Sequence, residues 1–135
     1  MSEITRQTHN FLSQTQIAVI STVDASGIPH TTPIWYKWNG EYLAMFTGTE
    51  TTKWKNLTRF PYASLSVDKR DPPYRSIMIK GKVEELNIPL HDFVLEMAIR
   101  YYGSEEGTSF AKQYPDDTEN VAIFRLIPER ITDTY

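Results

Sequence analysis

The residues best suited to hold a charged ligand lie together in Thr47-Gly48-Thr49-Glu50-Thr51-Thr52-Lys53-Trp54-Lys55-Asn56-Leu57. The stretch follows a strand-like run at 41–46, breaks at Gly48 and continues as the start of a short helix. The first amides of a helix have no intrahelical acceptor, so they stand ready for an anion. Hydroxyls of Thr51 and Thr52 and the cation of Lys53 complete a seat for a phosphate. The competing reading makes Lys53 and Lys55 solvated surface charges, and Thr51 and Thr52 simple helix caps. Capping and binding can coexist, because the amides that need a cap are the ones that bind phosphate.

Other chemistries find less support. The chain has no cysteine, which removes disulfides, thiolate metal sites and cysteine nucleophiles. His9 and His91 have no carboxylate partners at metal-ligand spacing, so no metal site is expected, and His30, in a strand beside a turn, reads as exposed or hydrogen-bonded rather than catalytic. Glu84-Glu85 beside Lys82 reads as a solvated strand end, and Asp116-Asp117 with Glu119 as a polar loop. No catalytic acid, base or nucleophile is assigned. A net charge of -3 argues against broad nucleic-acid binding, which needs a basic face. No apolar run approaches the ~20 residues of a membrane helix. The first residues lack the basic and then apolar blocks of a secretion signal. The expectation is one cytoplasmic domain spanning 1–135, with no membrane and no nucleic-acid partner.

The elements that must position the candidate site read as follows. Ser2 can cap a first helix with Ile4, Phe11 and Leu12 on its apolar stripe. Residues 17–23 form a β-branched strand, and Gly27 closes a turn. Residues 28–38 resume as a strand in which Pro29 and Pro33 mark an edge or a bulge. Asn39-Gly40 signals a hairpin into a strand at 42–47. That reading makes 17–47 a three-strand antiparallel meander. A short helix at 51–60 buries Trp54 and Leu57 and stops at Pro61. Strands follow at 62–67 and 76–86, the second bent or bulged at Gly81. Residues 90–101 carry the clearest helical periodicity, 103–117 is polar with room for one more helical turn, and 121–131 is a last strand interrupted at Pro128. Six strands, short helices and hairpin connections suggest a mainly β fold, a small antiparallel barrel.

The succession Asp24-Ala-Ser-Gly27-Ile-Pro-His30, Pro33-Ile-Trp35, a hairpin ending at Thr47, Lys53-x-x-Asn56-Leu57 and Ser64-Leu-Ser-Val-Asp68 resembles the pyridoxamine 5′-phosphate oxidase-like family of flavin-binding split β-barrels. Ser26 stands where that family usually has an acidic residue before the glycine. The resemblance covers residues 11–86 and the final strand. It implies a six-stranded split β-barrel working as a homodimer, with flavin sites in the groove between subunits. It implies FMN as cofactor, its phosphate held by Thr47, Thr51, Thr52 and Lys53. The ring would be held along the second strand by Pro33, Ile34, Trp35 and Tyr36, largely through backbone. Arg75 would reach the phosphate or a substrate anion. The implied activity is an oxidoreductase passing a hydride between flavin N5 and a small-molecule substrate, with Tyr36, Tyr74 or solvent as proton source. The alternatives are a deazaflavin (coenzyme F-420)-dependent reductase on the same fold, or a flavin-binding or sensing module without turnover. Residues 128–135 lack the arginine-rich substrate-phosphate motif of the true oxidase, so pyridoxamine phosphate itself is not the expected substrate.

Overall fold

The computed structural model describes residues 4–134. Ser2 lies outside them, and the cap of α1 (Arg6–Ser13) is Thr5, whose hydroxyl accepts from the Thr8 amide at 3.1 Å. Strand β1 (Ile17–Val23) pairs antiparallel with β2 (Pro29–Trp35), and Gly27 in the turn between them has φ 80°. The chain continues through β3 (Lys37–Trp38), β4 (Leu43–Gly48), α2 (Thr52–Arg59), β5 (Tyr62–Lys69) and β6 (Arg75–Leu86). It ends with α3 (Leu90–Tyr102), α4 (Ser104–Ala111) and β7 (Val121–Thr134). The polar segment after α3 therefore holds an eight-residue helix rather than one turn.

The sheet has seven strands among the described residues, not six, in the order β2-β1-β5-β6-β7-β4-β3. The extra strand arises because the expected strand at 28–38 breaks at Tyr36 into β2 and β3. The expected meander is also corrected: β4 pairs with β7 along Leu43↔Leu126 to Gly48↔Val121, not with β2. The Asn39-Gly40 connection is a four-residue loop, with Asn39 Oδ1 accepting from the amides of Glu41 and Tyr42 at 2.9 Å.

This order dictates the shape. Trp35 ends β2 and Lys37 begins β3, yet those strands are opposite edges of the sheet. One linking residue cannot cross a flat sheet of this width at about 4.8 Å per strand. The sheet must curl until its edges nearly meet, which is a split barrel. The two prolines of β2 are tolerated because an edge strand need not donate on both sides.

Alternation then decides the interior. Ala18, Ile20 and Thr22 of β1, Ala63, Leu65 and Val67 of β5, and Ile77, Ile79 and Val83 of β6 all turn inward and are buried. Phe11 and Leu12 of α1 and Leu57 of α2 join the same core. Gly81 completes the inward series without a side chain, because a Cβ there would lie 2.0 Å from the Ile127 carbonyl oxygen. The ladder shifts register at that point and meets Pro128. Outside the barrel, Phe93, Val94 and Met97 of α3 and Ala111 of α4 bury Ala44 and Ile123 in a second apolar layer.

Candidate cofactor site

Helix α2 is fastened to the barrel by its polar face. Asn56 donates from Nδ2 to Thr22 Oγ1 at 3.0 Å, and Arg59 donates to the Val23 carbonyl at 2.7 Å. Thr22 falls in an inward phase of β1, so its hydroxyl is closed to water and takes the amide of Asn56 instead. Asn56 is therefore engaged structurally, by a strand side chain, and Leu57 is core.

The N-terminus of this helix carries the candidate phosphate residues. Thr51 is the cap: its Oγ1 accepts from the Trp54 amide at 3.2 Å and donates to the Gly48 carbonyl at 2.7 Å. Thr52 is the exposed first helical residue, and the amides of Thr52 and Lys53 lack intrahelical acceptors by position. Lys53 lies three residues before Asn56, on the same helical face, and is only 8% exposed. Its Nζ donates to Thr47 Oγ1 at 3.3 Å, and Thr47 is buried as well. No carboxylate ion-pairs with Lys53 among the described residues. Burial therefore pulls its pKa below the ordinary lysine value. Lys55 is exposed on the opposite face of the helix.

Thr22, Thr47, Lys53 and Asn56 are four of the five buried polar or charged residues described, so the molecule's buried polarity is concentrated at this end of the barrel. His30 adds to it. It pairs in register with Thr22, is half-buried, and its Nδ1 is closed to water with no hydrogen-bond partner. Sequence reasoning took His30 as exposed or hydrogen-bonded. Its signal was the in-register polar partner, Thr22, at an inward position of β1.

The second group of candidates lies on β2. Because β2 is an edge, part of its backbone faces away from β1 and is open to a ligand. Ile34 is buried in the core, and Pro33 is exposed. The Trp35 indole stacks on Tyr101 at 4.8 Å between centroids and meets Phe46, Tyr102 and Phe110, so its ring serves packing. Tyr36 is fully buried and donates to the Leu12 carbonyl at 2.9 Å. Burial raises its pKa well above the tyrosine range, and the hydroxyl is not placed to deliver a proton to a substrate. Tyr74 is 60% exposed.

Arg75 does not converge with Lys53 within one chain. Ser76 pairs with Thr134 at one end of the β6–β7 ladder, whereas Thr47 pairs with Ala122 beside the other. Arg75 is engaged by the carboxylate of Asp133 and lies over the ring of Phe11. Asp133 also accepts from Thr8, so these contacts tie α1 across its end of the barrel. Among the described residues no three His, Cys, Asp or Glu side chains gather as a metal set. No described helix is long and apolar enough to cross a membrane.

The fold and the chain pattern agree with one family. The pyridoxamine 5′-phosphate oxidase family model matches residues 4–135, and the chain belongs to that family. Among solved structures, an F420 reductase superposes with a TM-score of 0.77 at 23% identity, over 96% of this chain and 98% of that one. The Mycobacterium tuberculosis protein Rv2991 gives 0.76 at 22% identity, over 98% and 84%. HutZ, a heme storage protein from Vibrio cholerae, gives 0.73 at 14% identity, over 97% and 94%. At these identities the likeness establishes the fold. No curated protein matches the chain.

Proposed function

We propose that the chain is an FMN-binding oxidoreductase that works as a homodimer on a small-molecule substrate. The observation that carries this reading is Lys53: a buried ammonium at a helix N-terminus with a neutral hydroxyl as its protein partner. Burying a cation without a counter-charge is costly, and a phosphate at that position offsets the cost. Lys53, Thr47, Thr51, Thr52 and the open amides of α2 would hold the phosphate. The backbone of Pro33, Ile34, Trp35 and Tyr36 would hold the ring. His30 adjoins α2 through Thr22 and Asn56, and Trp35 lies five residues further along β2, about 17 Å of extended chain. The strand itself therefore links the two groups of residues.

When bound, a flavin supplies hydride transfer at N5 of its ring. The chain's own residues bind, orient and shield. Trp35 fixes the strand through its stack on Tyr101, and Tyr36 closes the barrel beneath it. With Tyr36 sealed away, the proton comes from Tyr74 or solvent. Arg75 remains a candidate for an anion only across the subunit groove, since its own chain places it away from α2.

A second reading, a deazaflavin-dependent reductase, is favoured by the near full-length superposition on a protein named as an F420 reductase. The visible spectrum of the purified protein separates the two. Two flavin bands, in the blue and the near ultraviolet, support FMN; one deazaflavin band between them supports the alternative. Neither band, with no spectral change on adding either cofactor, overturns both. Bound flavin with no reduction by nicotinamide donors and no turnover points to a sensing module.

A further inference from the structure

We propose that Asn120 is a positioning residue for the phosphate seat: its left-handed backbone aims a carbonyl at the turn before α2 and so sets where Thr47, Thr51 and Lys53 stand. Asn120 has φ 65°, and among the described residues no other residue with a side chain takes a positive φ. A Cβ makes that conformation costly for most residues, and asparagine is one of the few that tolerate it. Such a backbone persists only where the surrounding structure demands it. The side chain gives no reason for it: Asn120 is exposed, and its amide makes no hydrogen bond among the described residues. The reason lies in the main chain.

Strand β7 begins at the next residue, and its first pair, Val121 with Gly48, is the last of the β4–β7 ladder. One step past that pair, the Asn120 carbonyl accepts from the Thr49 N–H at 2.9 Å. Thr49 and Glu50 form the middle of a turn closed by the Thr51 N–H on the Gly48 carbonyl at 3.3 Å. Thr47 receives the Lys53 ammonium on one side of this turn, and Thr51 caps α2 on the other. Every other hydrogen bond of residues 49–51 described stays within 47–55, so the turn is closed on itself and the Asn120 carbonyl alone ties it to the barrel. Asn56 and Arg59 hold the later part of α2 against β1, and Asn120 holds the segment that enters it. Hydrogen bonds weaken steeply with distance and angle, so a phosphate needs the ammonium and the helix amides fixed relative to one another.

The role rests on the flavin reading. Asn120→Val tests it, because a branched Cβ disfavours the left-handed backbone; Asn120→Ala is the milder change and Asn120→Gly the rescue. FMN and riboflavin are titrated against each cofactor-free protein, and amide hydrogen exchange reads the Thr49 N–H. For Asn120→Val the expected result is FMN affinity lowered about tenfold, riboflavin affinity unchanged and faster exchange at Thr49. Asn120→Ala shows the same pattern to a smaller degree, and Asn120→Gly restores the FMN affinity of the parent. FMN affinity at the parent level in both Asn120→Val and Asn120→Ala overturns the proposal. Equal losses of FMN and riboflavin do so too, as does a loss that Asn120→Gly shares in full. If the parent binds no FMN, the flavin reading and this role fail together; if it binds FMN and the variants match it, this role fails alone.

Discussion

The hydroxyl of Tyr101 lies 3.1 Å from both the backbone nitrogen and the backbone oxygen of Tyr36. It donates to the Gln16 carbonyl at 2.6 Å and accepts from the Tyr36 N–H, with the Tyr36 carbonyl as a second acceptor. Tyr36 is the one residue between β2 and β3, where the sheet closes on itself and its ladder bonds stop. A side chain from α3 therefore supplies what the neighbouring strand does not.

Tyr101→Phe keeps the stack on Trp35 and removes that hydroxyl. Two partly buried backbone groups, the Tyr36 N–H and the Gln16 carbonyl, lose their partner, at a cost of about 1–3 kcal/mol. Urea unfolding should show the loss, and hydrogen exchange should locate it at 35–38 rather than across the barrel. Uniform exchange changes, or no loss of stability, would show that the hydroxyl does not hold this junction.

The junction also marks what local patterns can reveal. The strands β1, β5 and β6 were legible as local runs, β1 from its β-branched residues, and the folded chain adds which positions along each face inward. The helix at 51–60 was legible from Trp54, Leu57 and Pro61. The pairing of β4 with β7 was not, since Leu43↔Leu126 is a contact between distant segments that neither segment announces. Trp35 shows the same limit: its motif pointed to a cofactor strand, while its ring is held by α3 and α4. Lys53 was legible as a cation at a helix start, but its burial and its neutral partner Thr47 came only from the folded chain.

Gly81→Ala should destabilise the barrel by about 2–3 kcal/mol, because the added carbon meets the Ile127 carbonyl, a backbone atom that cannot swing aside. The urea midpoint reads the effect. A variant as stable as the parent would mean that the ladder between Lys80 and Pro128 shifts freely.

Asp133 supplies an acid-sensitive clamp. Its hydrogen bond from Arg75, and then that from Thr8, hold its pKa below the ordinary aspartate value of 3.8. A depressed carboxylate contributes stability that is fully present above 3.8 and is lost as pH falls through the lower folded value. Asp133→Asn should therefore be less stable than the parent at neutral pH, and the gap should narrow below 3.8. Hydrogen exchange in α1 should rise with the same substitution. A gap independent of pH would assign the effect to packing instead.

The proposed homodimer is tested by light scattering, which at micromolar concentration should give twice the chain mass of 15.6 kDa. A monomer would remove the subunit groove from the proposed cofactor site.

Lys53 makes the most discriminating prediction, because its effect changes sign with ligand. Without ligand, a lysine whose folded pKa is below the unfolded 10.5 costs stability at neutral pH. That cost fades as pH rises from the folded value toward 10.5. Lys53→Met keeps the buried stem and drops the charge, so the cofactor-free variant should be more stable than the parent at neutral pH, with the advantage shrinking on alkalinisation. With FMN the order reverses, since the variant loses a charge-assisted phosphate contact of about 1.5–3 kcal/mol. Riboflavin, lacking the phosphate, should bind both proteins alike. Equal losses for FMN and riboflavin would mean that the substitution damages the fold, and equal stability of the two ligand-free proteins at every pH would mean that the ammonium is not buried as a charge.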